Sequence, residues 1–154
     1  MDCHLYSVPG AEETLHLLSP LSKAQLAGKE SRSEFFLGRL IDPAQGADPG
    51  NISYNADFLV IVHELVRDTM VNHPDVVAEA ESQLNGFVFI VDQRSPHNEE
   101  VQKEDIIGIF LVNENKTDVS RYRPNPDYRL IGKNGVAVFP DKIEDALIRR
   151  LLGS

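Results

Sequence analysis

The amino-acid sequence predicts an α+β fold, with an antiparallel or mixed sheet of about four strands in the C-terminal half covered by helices. Three observations lead there. Residues 55–84 repeat apolar side chains at helical spacing, the short runs 87–91 and 106–112 are β-branched and aromatic, and Asn134-Gly135 is a hairpin signal between two further apolar runs.

Residues 1–41 are the least legible part of the chain. Ala11 to Leu18 shows helical spacing at Leu15 and Leu18, with Glu12 and Glu13 where a helix dipole favours acids, and Ser19-Pro20 stops it. Lys23 to Gly28 reads as a second short helix, and Glu34 to Ile41 as either helix or strand. Two prolines and two glycines between Asp42 and Asn51 make 42–54 a surface loop. About forty residues on its N-terminal side are too few for a self-sufficient core, so the expectation is one domain over 1–154.

The main helix is expected over 56–72. Asn55 serves as N-cap, and Phe58, Ile61, Val62, Leu65, Val66 and Thr69 form one stripe. His73-Pro74 ends it, and Pro74 opens a second helix over 74–84 with Asn85-Gly86 as a left-handed exit. Phe87 to Val91 then reads as a central strand and Ile106 to Val112 as another. Tyr128 to Ile131 and Val136 to Phe139 flank Asn134-Gly135, which suits a tight turn with positive φ at both central residues. A last helix over 141–152 presents Ile143, Leu147, Ile148, Leu151 and Leu152 on one face.

Composition limits the chemistry. The chain has 154 residues, 24 acids against 15 bases, and a formal net charge of -9. At this size a globule buries roughly 70% of its unfolded surface and needs no disulfide or structural metal. The single Cys3 cannot form an intramolecular disulfide or, alone, a thiolate cage. The longest apolar runs, such as Phe58 to Val62, are far too short to cross a membrane. Met1-Asp2-Cys3-His4 lacks the basic start of a secretory signal, so the expected compartment is the cytoplasm.

No phosphate-binding glycine loop and no nucleophile elbow occurs. His63-Glu64 inside the main helix, with His73 ten residues on, imitates a zinc-protease helix, but Arg67 stands where the second ligand belongs. Asp92 and His97, with Ser95 between them, form a second polar cluster at a strand end, where sites are often mounted. A small enzyme or metal-binding protein using His63, Glu64 and His73, or Asp92 and His97, is therefore an alternative reading. An oligomer-forming subunit is a further one.

Charge placement favours a binding module. Residues 75–105 carry -6, whereas residues 116–133 carry +3. The basic loop alternates arginine and tyrosine, a mixture enriched at interface hot spots. The expected partner-binding residues are Asp92, Glu99, Glu100, Glu104 and Asp105, together with Arg121, Tyr122, Arg123, Tyr128 and Arg129. The expected partner is a basic protein, with no cofactor, no metal and no membrane. Nucleic acid is disfavoured, because the net negative charge repels phosphate. In size and charge alone the chain is similar to immunity proteins, which neutralise a basic toxin.

Overall fold

Residues 1–28 and 32–153 are described by a computed structural model. Residues 29–31 and 154, inside the expected domain 1–154, lie outside the described residues. Helices alternate with three antiparallel sheets, an α+β architecture.

The N-terminal third holds a four-stranded sheet in the order β1-β2-β3-β4, formed by His4–Pro9, Thr14–Ser19, Gly38–Leu40 and Ile52–Tyr54. The helix expected over 11–18 is instead β2, paired with β1 through Leu5 to Leu18 and Tyr6 to Leu17. Ten residues between two proline punctuations are too few to repay helix nucleation, whereas a hairpin satisfies the same backbone groups at once. Gly10 closes the turn, because a Cβ there would lie 2.5 Å from the Glu13 carbonyl oxygen. Helix α1, Lys23–Leu26, begins in a capping box between Ser22 and Gln25. The ambiguous segment 34–41 resolves into a 3-10 turn over Ser33–Phe35 followed by β3. Of the expected loop 42–54, residues 52–54 are strand β4. The Asn51 side chain ties the remainder together by accepting from the Asp42 N–H and donating to the Asp42 and Gly46 carbonyls.

Helix α2, Ala56–Met70, buries Phe58, Val62, Val66 and Met70, and Asn55 caps it through the Asp57 N–H. The Asn55 amide also donates to the Ser33 and Phe36 carbonyls, so one residue fixes two segments. Helix α3, Pro74–Glu81, stops three residues before the expected end. Its final turn is covered from across the chain, where the Asn115 side chain donates to the carbonyls of Glu81 and Gln83.

The second sheet has three strands, β5 (Asn85–Val91), β6 (Ile106–Asn113) and β7 (Tyr122–Pro124), in that order. The expected central strand at 87–91 is thus an edge strand. Its apolar run misleads because only Val88 and Ile90 are buried, whereas Phe87 and Phe89 are 52% and 58% exposed. Strand β6 is the central one. Gly108 on it leaves room for Tyr122, whose ring carbons would lie 2.7 Å from an added Cβ.

A third, two-stranded sheet pairs β8, Ile131–Gly132, with β9, Gly135–Val136. The hairpin turn is therefore Lys133-Asn134, one residue earlier than expected, and Gly135 closes it at φ +99. The turn with positive φ at both central residues is Glu114-Asn115, beyond β6. Helix α4, Ile143–Leu152, buries Ile143, Leu147 and Leu151. The sheet of about four strands expected in the C-terminal half is therefore divided into β5–β7 and β8–β9, and a separate four-stranded sheet precedes it. A shared core joins Leu18, Phe35 and Leu40 of the N-terminal part with Phe58, Phe110, Leu130 and Leu147.

One buried ionic group holds the C-terminal segments together. The Arg94 side chain is 2% exposed and lies 2.8 Å from Asp105 Oδ1 through Nε. Its Nη1 donates to the Leu130 and Gly135 carbonyls, and its Nη2 to the Glu104 and Arg129 carbonyls. All five guanidinium donors are therefore used. Asp92 accepts from the N–H groups of Arg94 and Val138 and from the Tyr128 hydroxyl. Asp105 also accepts from the Asn134 amide.

Removing the guanidinium would leave two carboxylates buried and under-paired. Arg94→Met is expected to cost about 3–5 kcal/mol in a denaturant-unfolding measurement. Arg94→Lys is expected to recover only part of this, because an ammonium reaches fewer of the five acceptors.

Candidate functional site

The expected acidic belt does not form one exposed surface. Asp92 and Asp105 are buried around Arg94, and Glu104 is half-buried, accepting the Lys133 N–H. Glu99 and Glu100 do lie exposed on the loop between β5 and β6. In the basic loop, Arg123 and Arg129 point outward whereas Tyr122 and Tyr128 are buried, so the tyrosines cannot stack on a partner. Alternation of faces explains the division: Tyr122 and Arg123 are consecutive strand residues. Arg121 lies near Asp118, and Arg123 and Arg129 donate to nearby backbone carbonyls.

The histidine constellations are taken apart in the same way. His63 Nδ1 lies 2.7 Å from the Tyr122 hydroxyl, joining α2 to β7. Glu64 pairs with Arg150, and His73 caps α3 by accepting the Asp75 N–H. Among the described residues no three His, Cys, Asp or Glu side chains are grouped to hold a metal. His97 is exposed while Asp92 is enclosed by Arg94, Val138 and Tyr128, and the buried Ser95 hydroxyl has no hydrogen-bond partner among the described residues. The Ser95, His97 and Asp92 side chains therefore form no hydrogen-bonded relay. Burial pushes the Cys3 thiol up to about 11, away from nucleophilic use at neutral pH.

His63 and Tyr122 line an open groove of about 540 Å3 with Leu59, Val60, Arg67 and Ser120. Its polar groups already have partners: Arg67 bonds Asp68, and Ser120 bonds Asp118. Burial lowers the pKa of His63 and raises that of Tyr122, so both are neutral at physiological pH. The pair works as an internal polar connector.

A different surface emerges at the sheet edge. The outer face of β5–β6 carries Phe87 and Phe89, with ring centroids 6.4 Å apart, and their cross-strand neighbours Leu111 and Ile109. Beside it, α3 and β5 bound an open groove of about 450 Å3 lined by Met70, Val76, Phe87, Phe89 and the carboxylates of Asp75 and Glu79. Among the described residues no lysine or arginine lines it. On the opposite side of Phe89 a second groove, about 230 Å3, is mainly apolar and has Lys103 and Arg123 among its lining. With Asp127 also lining it, this second groove carries a net +1 against -2 for the α3–β5 groove, so charge changes sign across Phe89.

Sequence reading misses this site because it expects 87–91 to be a central strand with neighbours on both edges. The signal available was the spacing of Asp75 and Glu79, four residues apart and hence on one face of a short helix. No helix among the described residues is long and apolar enough to cross a membrane. Neither a family model, nor a curated protein, nor a solved structure matches the chain.

The His63 connector makes a pH prediction. Because its pKa is lowered from 6.5, the unfolded chain takes up this proton at a higher pH than the folded chain does. Stability from this group is complete above the unfolded value and is lost as pH falls toward the lower folded one. His63→Gln keeps an acceptor for Tyr122 but does not titrate. It is expected to narrow the difference in thermal midpoint between about pH 7.5 and about pH 5. An equal or wider difference in the variant would contradict the assignment.

Proposed function

We propose that the chain is a protein-binding module that captures a basic segment of a partner on the α3–β5 face. The supporting observation is the juxtaposition of Phe87 and Phe89, exposed on the outer sheet face, with Asp75 and Glu79 in a groove that no basic residue lines among those described. Two neighbouring aromatic rings left in water mark a contact surface more often than a solubility device would. Aromatic anchors supply affinity, and carboxylates at their margin select a cationic partner and speed its approach.

Lys103 and Arg123 on the other side of Phe89 would orient the bound segment, with its cationic side chains toward α3. Glu99 and Glu100 add long-range attraction. An inhibitor that neutralises a basic protein is the form of this function that the chain's size and net charge of -9 suit best.

Selection of a random displayed-peptide library on the immobilised chain tests the proposal. The expected winners combine lysine or arginine with apolar residues. Their binding should weaken about tenfold or more for Phe87→Ser with Phe89→Ser, and also for Asp75→Asn with Glu79→Gln at low ionic strength. Winners without basic residues, or affinities unchanged by both double substitutions, would overturn it.

A further inference from the structure

Resting on that reading, we infer that the basic segment binds as an added β-strand on the free edge of β5, pairing with the Phe89 backbone. Both backbone hydrogen-bonding groups of Phe87 are occupied by one side chain: its N–H donates to Gln83 Oε1, and its carbonyl accepts from Gln83 Nε2. These groups therefore point away from β6. In an antiparallel ladder the direction alternates by residue, so Val88 and Ile90 face β6 while Phe89, like Phe87, faces the free edge.

The edge is blocked at both ends and open between them. At one end the Gln83 carboxamide mimics a single residue of a neighbouring strand, and Gly86 leaves room for it, since a Cβ there would lie 3.2 Å from Gln83 Cδ. At the other end the Gln93 N–H donates to the Val138 carbonyl. Between the two, no described segment bonds the outward groups of Phe89. Natural edge strands are commonly blocked by charge, proline or a bulge. On β7, the opposite edge of the same sheet, Pro124 has that effect; on β5 the register shifts only beyond Ile90, between Ile90 and Val91, so Phe89 stays in regular register opposite Ile109.

The groove at this edge is lined by all five residues from Phe87 to Val91, as a docked strand requires. A strand laid there would make a reciprocal pair of hydrogen bonds with Phe89 and present alternate side chains to opposite faces. One set would lie beside the Phe89 ring, and the other beside Asp75 and Glu79. The recognised pattern is thus a short extended segment alternating apolar and basic residues. A second copy of β5 fits poorly, because its own Asp75 and Glu79 would meet their counterparts with no cation between them.

The experiment uses the pentapeptide acetyl-Val-Lys-Val-Lys-Val-amide and two derivatives N-methylated on alternate backbone nitrogens. Binding is followed by amide shifts of the full chain. The parent peptide is expected to shift Phe89 most. One methylated derivative should lose about tenfold in affinity while the other, whose methyl groups face away from β5, is retained. If both derivatives bind like the parent, strand addition is overturned while the basic-segment reading stands. If neither the pentapeptide nor any library peptide binds, both fall. Concentration-dependent dimerisation with the Phe89 amide buried would show that the occupant is a second copy, and would also overturn the inference.

Discussion

A single buried guanidinium organises the C-terminal half of the molecule. The Arg94 side chain is enclosed with Asp92 and Asp105, and its remaining donors end on four carbonyls drawn from 104, 129, 130 and 135. A planar fork with five fixed directions can be satisfied in few ways, so the chain segments that supply the acceptors are held in register with one another. Tyr128 adds its hydroxyl to Asp92, and Asn134 its amide to Asp105. The short β8–β9 hairpin, only two residues per strand, is anchored by this group and does not depend on its own ladder.

The same constraint decides what is left for a partner. Two of the acids that make residues 75–105 so negative are folded inward, and the Asp92 N–H to Asp105 carbonyl bond with the Gln93 bond to Val138 terminates β5. The negative charge that remains outside is carried by Asp75 and Glu79 along the α3 groove, by Glu81 at the end of α3, by Glu99 and Glu100 on the loop and in part by the half-buried Glu104. Structure thus moves the acidic surface from the loop after β5 to the helix before it. There it meets the exposed phenylalanines across the β5 edge, so charge and apolar area line one groove from its two sides.

How much of this was legible depended on period. Helices α2, α3 and α4 could be read because their apolar residues repeat at a spacing that only one conformation satisfies. Residues 14–19 and 38–40 could not, since short strands in a sheet draw their stability from distant partners such as Leu5 and Ile52. The run at 87–91 was recognised as a strand, yet its place at an edge depends on pairing that no local pattern encodes. The Asn134-Gly135 signal was real as punctuation but misplaced by one residue, because Gly135 supplies the closing positive φ and does not stand at the centre of the turn. In the sequence Arg94 enters only the net charge of residues 75–105. Its isolation among carboxylates, just after an apolar strand, was the available sign that it is enclosed.

The β5 edge is open at Phe89, between the bonded backbone groups of Phe87 and Gln93. Residue-resolved amide hydrogen exchange on the free chain tests this most directly. The account predicts that the Phe89 amide exchanges about a hundredfold or more faster than those of Val88 and Ile90, with Phe87 slowed by Gln83. A Phe89 amide as slow as those of Val88 and Ile90 would show that this edge is already covered, and would contradict it.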